Sequence, residues 1–190
     1  MNFKETEYYF YFLAEASNET LDVKGQIVWQ EALLNSKKYF LDNGVISMEH
    51  KHWKRLSETR ITKDERYVIG EPISVYTDGK STMVEGKLYK SSPFAKPIIE
   101  LLRRESNKVK ASIGGFYPGI LNAPGKQIVT SFLWNDLALT THPVNNSLKP
   151  VRGIKLTAKA AQGKKKTVKL DGIESIKIKK GDLAWLKRFW

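Results

Sequence analysis

The sequence predicts an α+β fold built on an antiparallel sheet, followed by a basic segment at the C-terminal end. Short apolar runs are joined by hairpin turns, helical segments lie between them, and the regular strand-helix alternation of a parallel sheet is missing. The 190 residues, 41% of them hydrophobic and 11% aromatic, provide enough apolar material for one core. We therefore expect one folded domain over residues 1–150 and an extension over residues 151–190.

The first half of the chain mixes strand and helix signals. The aromatic-rich run Tyr8–Ala14 predicts a strand, and Val28–Leu41 has apolar residues at helical spacing. Val45–Met48 predicts a short strand that leads directly into Glu49-His50-Lys51-His52. The polar residues 54–65 predict a surface loop.

The second half contains a hairpin, a helix and two further strands. Asp78-Gly79 is a hairpin signal between the predicted strands Tyr67–Tyr76 and Thr82–Tyr89. A serine pair followed by proline predicts a helix that begins near Ser91 and ends near Ser106. The last two strands are predicted over Val109–Tyr117 and Ile128–Thr141, with a loop between two Pro-Gly pairs separating them.

The positive charge is concentrated at the C-terminal end. Lys149–Trp190 holds 13 basic and 3 acidic residues and so carries +10 of the formal net charge of +12. A Lys-rich, linker-like stretch, Thr157–Lys166, precedes residues that predict a small hairpin and then a short amphipathic helix over Asp182–Trp190. Such an extension suits contact with an acidic protein or DNA, or it serves only to keep the chain soluble.

Composition excludes several kinds of site and location. The chain has no cysteine, which excludes disulfides, thiol nucleophiles and thiolate zinc sites. The apolar run near the N-terminus follows Glu5 and Glu7 and is too short for a signal peptide. No run approaches the roughly 18 apolar residues of a membrane span. We therefore expect a soluble, unexported protein that does not enter a membrane.

The candidate bases are the three histidines, His50, His52 and His142. On a regular strand His50 and His52 face opposite sides, so only one of them is expected in a given site. The sequence has no cluster of carboxylates beside the histidines, so it does not predict a metal site, and we expect no cofactor. Each histidine can equally be structural or exposed, and the residues alone leave that choice open.

A serine and a carboxylate complete the candidate set. Ser112 comes just before Gly114 and Gly115, whose backbone amides can approach a substrate carbonyl and form an oxyanion hole. A bulge with an incidental serine is the alternative. Lys110 stands where a G-x-S-x-G nucleophile elbow needs glycine, which excludes that motif. Asp136 lies in an otherwise uncharged strand, where burial would require a partner such as an oriented histidine.

Three segments, taken in order, resemble the prohead maturation proteases of tailed phages, which are related to the herpesvirus assemblin proteases. The segments are Val45-Ile-Ser-Met-Glu-His50, Ser112-Ile-Gly-Gly-Phe116 and Asp136-Leu-Ala-Leu-Thr-Thr-His-Pro143-Val-Asn145. They match a family pattern of an apolar strand ending in His, a Ser-x-Gly segment after a helix, and an apolar strand with an acidic residue followed by Pro-x-Asn. The resemblance covers residues 45–145.

The resemblance implies a serine endopeptidase in which Ser112 attacks the scissile carbonyl, His50 accepts its proton, and Asp136 orients and stabilises the imidazole. It implies a closed or nearly closed antiparallel barrel flanked by helices, with no metal required. The expected substrates are the scaffolding protein and the major capsid protein precursor, cut inside the assembling procapsid in the host cytoplasm. A homo-oligomer, and docking of the basic tail on scaffold or DNA, stay open.

Alternatives remain for two members of this triad and for the function. Many relatives have Glu where this chain has Asp136, and in the assemblin branch a second histidine takes the third role, which keeps His142 as a candidate. His52 is the alternative to His50, because one residue separates them. The chain can instead be a non-catalytic capsid assembly protein that binds scaffold or nucleic acid through its basic tail, or an inactive protease homologue.

Overall fold

The computed structural model describes residues 2–55 and 61–156, and its largest element is one mixed, mainly antiparallel sheet of eight strands. Its strands are β1 (Tyr9–Ser17), β2 (Gln26–Val28), β3 (Val45–Met48), β6 (Val68–Asp78), β7 (Ser81–Tyr89), β8 (Lys110–Ala123), β9 (Lys126–Thr140) and β10 (Arg152–Gly153); β4 (Trp53–Arg55) and β5 (Ile61–Lys63) form a separate hairpin. Strand order in the main sheet is β10-β1-β7-β6-β3-β9-β2, with β8 also pairing with β9. The few helices and dominant sheet agree with the α+β prediction.

The long hairpin β8–β9 and the strands around it carry the residues of interest. β3 runs parallel to β9, and β6 and β7 run antiparallel on the other side of β3. β8 also contacts β1, so opposite ends of the sheet approach each other. The closed barrel stays a prediction.

Three α-helices and one 3-10 helix accompany the sheet in the described residues. They are α1 (Gln30–Asn35), α2 (Lys37–Asn43), α3 (Ala95–Arg103) and the 3-10 turn Glu65–Tyr67. Helix α3 buries its apolar face, including Ile98, Ile99 and Leu102, as its spacing predicts. The pair α1 and α2 packs against β9.

The core is aromatic and aliphatic, as the composition predicts. Its largest fully buried side chains are Trp134, Phe10, Phe12, Phe40, Leu33, Ile46, Ile69, Leu88, Leu102, Leu137, Leu139 and Val75. Leu137 and Leu139 alternate along β9 with Asp136 and Ala138, and all four are fully buried. β9 is therefore covered on both faces, which explains its nearly continuous apolar sequence.

A buried carboxylate joins β1 to the loop that follows β9. Glu15 is only 3% exposed, and it accepts hydrogen bonds from the Ser81 hydroxyl and, at 2.6 Å, from the backbone N–H of Lys149. A buried carboxylate without donors would be strongly destabilising. Glu15 therefore holds residues 144–149 against the sheet.

Three local predictions were wrong. The helix predicted over Val28–Leu41 is two helices separated at Ser36, because the Ser36 hydroxyl accepts the backbone N–H of Trp134 on the sheet. The strand predicted to end at Tyr117 continues to Ala123, since register shifts on both sides of Gly119 accommodate Pro118, which cannot donate to the ladder. The predicted loop 54–65 contains strands β4 and β5.

The C-terminal part of the described chain stays with the sheet. β10 pairs with β1, and Phe3 forms a β-bridge with Lys155. One compact unit spans Met1–Leu156 and a second spans Thr157–Trp190. The hairpin and helix predicted within the second unit lie outside the described residues, and the division into domains at residues 150 and 151 stays a prediction.

Candidate active site

A tight turn after β3 delivers two histidines to the same place. β3 ends at Met48, and Glu49 and His50 then adopt the left-handed conformation, with φ angles of 52° and 57°. Non-glycine residues rarely adopt this conformation, so the turn departs from what the residue types favour. Because the strand has ended, His50 and His52 no longer alternate. Of the two, His50 alone contacts Ser112 and lines the cavity beside it, and the choice of His50 rather than His52 as base stays a prediction.

Strand register places the carboxylate beside this turn. β3 is the parallel neighbour of β9, with Val45 opposite Asp136 and Met48 opposite Leu139. Asp136 has no exposed surface, and its Oδ2 atom hydrogen-bonds Nδ1 of His50. The backbone of Glu49 also donates to the carbonyl of Leu139, at 3.3 Å. The turn and the strand that carries Asp136 are thus joined directly.

The serine comes from the other neighbour of β9. In the antiparallel ladder of β8 and β9, Ser112 faces Ala138 and Gly114 faces Asp136. Ser112 Oγ lies 3.0 Å from His50 Nε2, and Ser112 is 6% exposed. The structure therefore brings Ser112, His50 and Asp136 together in one hydrogen-bonded line.

The line has the polarity that nucleophilic catalysis requires. With its Nδ1–H donated to Asp136, the imidazole of His50 has an unprotonated Nε2 that can accept the Ser112 hydroxyl proton. Asp136 is fully buried, whereas the His50 side chain is 36% exposed. The carboxylate of Asp136 is shielded from water, so its negative charge would stabilise the imidazolium of His50 that proton transfer from Ser112 would form.

A bulge in β9 at Asn135 holds the backbone of Asp136. Gly114 faces Asp136 but the next residue, Gly115, faces Trp134, so Asn135 is the extra residue. The indole Nε1–H of Trp134 donates to the Asp136 carbonyl at 2.8 Å, and its ring stacks on Phe40 at 4.0 Å. Helix α2 therefore supports the residue that orients His50.

The glycines next to Ser112 are required by close packing. A Cβ atom at Gly114 would lie 2.9 Å from His50 Nδ1 and 3.0 Å from Asp136 Oδ2. A Cβ atom at Gly115 would lie 2.2 Å from the carbonyl oxygen of Leu133. These contacts explain both glycines without an oxyanion hole, which stays a prediction for their backbone amides.

The two other histidines occupy different positions relative to the triad. His52 is buried, and its Nδ1 atom lies 3.7 Å from Asp136 Oδ2, so it is a second neighbour of the carboxylate. Burial lowers the pKa of His52, and the nearby charge of Asp136 raises it. His142 lies beyond the end of β9, is exposed, and contacts Thr141 through Nδ1 at 2.9 Å.

A cavity of about 100 Å³ opens beside Ser112 and His50. Its remaining walls come from β1, β2 and β8 and from the loops 18–25 and 142–148; the side chains are Ala16, Ser17, Thr20, Asp22, Lys24, Gln26, Val28, Ile113, Tyr117, Val144, Asn145 and Leu148. The cavity walls are mixed apolar and hydrogen-bonding. Ser112 therefore borders a small concave space and is not packed against protein on every side.

Other kinds of site find no support in residues 2–55 and 61–156. No group of three or more metal-ligating side chains there is arranged to hold a metal ion. Among the helices of the same residues, none is long and apolar enough to cross a membrane.

Two supporting features were not predicted from the sequence. Trp134 hydrogen-bonds the carbonyl of Asp136, and Ser36 hydrogen-bonds the backbone of Trp134. The residues next to them in the sequence do not predict these contacts. Asn145 makes side-chain hydrogen bonds to residues on two loops. The Pro-x-Asn motif is the sequence signal that contains it, and the motif does not indicate these bonds.

Comparison with known proteins finds similarity in structure but none in sequence. No protein-family model matches the chain, and no curated protein sequence matches it. Among solved structures, the chain is similar to the bacteriophage T4 capsid assembly protease gp21, with a TM-score of 0.45 and 14% sequence identity. The similarity covers 67% of this chain and 80% of that one. A likeness at this level transfers no residue role to the present chain.

Proposed function

We propose that this chain is a serine endopeptidase in which Ser112 is the nucleophile, His50 the general base and Asp136 the residue that orients His50. One observation carries the proposal: Ser112 Oγ lies 3.0 Å from His50 Nε2, while His50 Nδ1 hydrogen-bonds a fully buried carboxylate. Each contact is the one that the chemistry needs, and the order of the residues in the chain has no bearing on it.

The reaction follows from these contacts. His50 removes the hydroxyl proton as Ser112 Oγ bonds to the scissile carbonyl carbon, and Asp136 stabilises the imidazolium. His50 then returns the proton to the departing amine, which leaves an acyl-enzyme. Water attacks the ester in the second half of the cycle, with His50 again as base, and the free serine is restored.

The proposed substrates are the scaffolding protein and the major capsid protein precursor of a tailed phage. This part rests on the order and spacing of the motifs around His50, Ser112 and Asp136, which resemble those of prohead maturation proteases. Cleavage inside the procapsid is proposed on the same ground.

The first experiment measures the nucleophile. Wild type and Ser112→Ala are incubated with a small fluorophosphonate and, separately, with an unfolded scaffolding or capsid precursor. We expect covalent labelling and cleavage by wild type, and neither by Ser112→Ala, because only an activated serine displaces fluoride from phosphorus. Equal cleavage by the two proteins would refute the serine mechanism.

A second candidate function rests on the +10 charge of residues 149–190. A non-catalytic assembly protein would bind acidic scaffold or DNA through this segment, and binding would weaken steeply with salt. Affinity is measured for the full chain and for a chain ending at residue 156. DNA or scaffold binding that survives the truncation would refute a role for the tail.

A further inference from the structure

Four polar side chains form a hydrogen-bonded cluster at the edge of the cavity. They are Asn18 and Thr20 on the loop after β1, and Asn145 and Ser147 on the loop after β9. The two loops are about 127 residues apart in sequence, and the Thr20 hydroxyl lies 2.6 Å from that of Ser147. The Pro-x-Asn motif supplies Asn145, whose role the triad leaves unexplained.

Asn145 uses both ends of its amide in this cluster. Its Nδ2 donates to Asn18 Oδ1 at 3.0 Å and to Thr20 Oγ1 at 3.2 Å, across the gap between the loops. Its Oδ1 accepts from the backbone N–H of Ser147 at 3.0 Å and from the Ser147 hydroxyl at 2.6 Å, within its own loop. The Thr20 hydroxyl also lies 3.3 Å from Oδ1, in position to donate to it from the other loop. Asn145 therefore shapes its own loop through Oδ1 and attaches that loop to Asn18 through Nδ2 and to Thr20 through either end of the amide.

Both loops are walls of the cavity beside the nucleophile. Thr20 and Asp22 of one loop and Val144 and Asn145 of the other line the same cavity as Ser112. A backbone hydrogen bond from Val23 to the carbonyl of Val144, at 3.1 Å, also joins the loops. Loss of the Asn145 side chain would therefore let the two loops shift relative to each other, while the backbone bond from Val23 to Val144 still joins them.

We infer that Asn145 is a positioning residue that holds together the two loops lining the substrate cavity next to Ser112. The inference rests on the proposed function, since it assigns this cavity to the peptide on which Ser112 acts. The side-chain hydrogen bonds of Asn145 go to Asn18, Thr20 and Ser147, and none of them reaches Ser112, His50 or Asp136. Its effect should fall on binding of an extended substrate, and the reactivity of the serine should be retained.

The experiment separates these two readouts. Labelling by a small fluorophosphonate requires the reactive serine and little of the cavity, whereas cleavage of a peptide requires both. For Asn145→Ala we expect labelling at the wild-type rate and a KM for peptide raised roughly tenfold, as loss of two cross-loop hydrogen bonds implies. Thermal unfolding of each variant reports whether the fold is retained.

Two further variants identify which end of the amide matters. Asn145→Asp keeps the acceptor for Ser147 and for the Thr20 hydroxyl but cannot donate to Asn18, so we expect its KM to lie between those of wild type and Asn145→Ala. Thr20→Val removes the hydroxyl from the opposite loop at constant shape, and it also tests the inference if Asn145→Ala does not fold. Asn146→Ala is the matched control, since Asn146 is exposed and contributes only its carbonyl to a bond from Lys110.

Three results would overturn the inference. The first is a peptide KM for Asn145→Ala and Thr20→Val equal to that of wild type, and the second is labelling that falls in step with cleavage. The third is a wild-type KM for Asn145→Asp, which would show that the donor bond from Asn145 to Asn18 does not hold the loops in position. If wild type itself is neither labelled nor active, the proposed protease function fails, and the inference fails with it.

Discussion

Gly114→Ala should disrupt the proposed triad of Ser112, His50 and Asp136 while leaving the fold intact. The added methyl carbon would lie 2.9 Å from His50 Nδ1, 3.0 Å from Asp136 Oδ2 and 3.0 Å from His50 Cε1, whereas ordinary contact begins near 3.4 Å. Either the imidazole of His50 or the carboxylate of Asp136 must therefore move by about 0.5 Å. Asp136 is fully buried, but the His50 side chain is 36% exposed, so the imidazole is the group that gives way.

The expected magnitude follows from that displacement. A shift of about 0.5 Å away from Gly114 lengthens or misaligns the 3.0 Å contact between Ser112 and His50 toward the limit of a hydrogen bond. Misplacement of a catalytic group by about 1 Å can cost roughly 100-fold, so we expect a loss of about 10- to 100-fold in kcat. The φ angle of Gly114 is not positive, so alanine should change the free energy of unfolding by no more than about 1 kcal/mol.

The assay is the rate of fluorophosphonate labelling together with kcat on a peptide, beside urea unfolding of the same preparation. Gly115→Ala is the contrasting variant. Its added carbon meets the Leu133 carbonyl at 2.2 Å, so we expect it to lower the free energy of unfolding by about 1–3 kcal/mol. Labelling of a folded Gly114→Ala protein at the wild-type rate would refute the reasoning.

Three further substitutions test the environment of the carboxylates. Asp136→Asn should lower the labelling rate about 10³- to 10⁴-fold, because the amide would donate to His50 Nδ1 and leave Nε2 protonated toward Ser112; retained labelling would contradict this. Burial lowers the pKa of His52 in the folded protein below its ordinary value of 6.5. As the pH falls through 6.5, the unfolded chain binds a proton that the folded protein does not bind, so the free energy of unfolding falls. His52→Gln should therefore reduce the difference in the free energy of unfolding between pH 7.5 and pH 5.5, and an unchanged difference would count against this account. Glu15→Leu should lower the free energy of unfolding by about 1–3 kcal/mol in urea, since the Lys149 backbone N–H and the Ser81 hydroxyl would lose their acceptor; no loss would argue against the carboxylate as a structural tie.

The strands of this protein could be predicted from residue pattern, but their irregularities could not. Val45–Met48 is a strand with the predicted bounds, and the predicted hairpin turns at Gly79-Lys80, directly after Asp78, with Gly79 at a φ of 61°. By contrast, Glu49 and His50 are left-handed, and a non-glycine residue gives no local signal of that conformation. The break between α1 and α2 depends on Ser36 meeting the sheet. Such features arise from tertiary contacts and cannot be read from neighbouring residues.

Candidate site residues could be proposed one by one, but their mutual geometry required the sheet. Ser112 and Asp136 become neighbours because β8 and β9 pair in one particular register. His52 was expected to point away, and it lies near the same carboxylate because the strand has already ended. Spacing in the sequence therefore identified the right segments and misjudged their orientation wherever a turn or bulge intervened.

Strand register explains how so short a motif as Ser112-Ile-Gly-Gly can specify a site. A slip of one residue between β8 and β9 would turn Ser112 to the opposite face of the sheet, away from His50. Gly115 resists such a slip, because only a residue without Cβ fits against the Leu133 carbonyl beside the bulge. Gly114 then leaves the space in which His50 meets Asp136. The two glycines thus fix the register and admit the base, so neither can be replaced by alanine without loss, but the losses differ: stability at Gly115 and catalysis at Gly114.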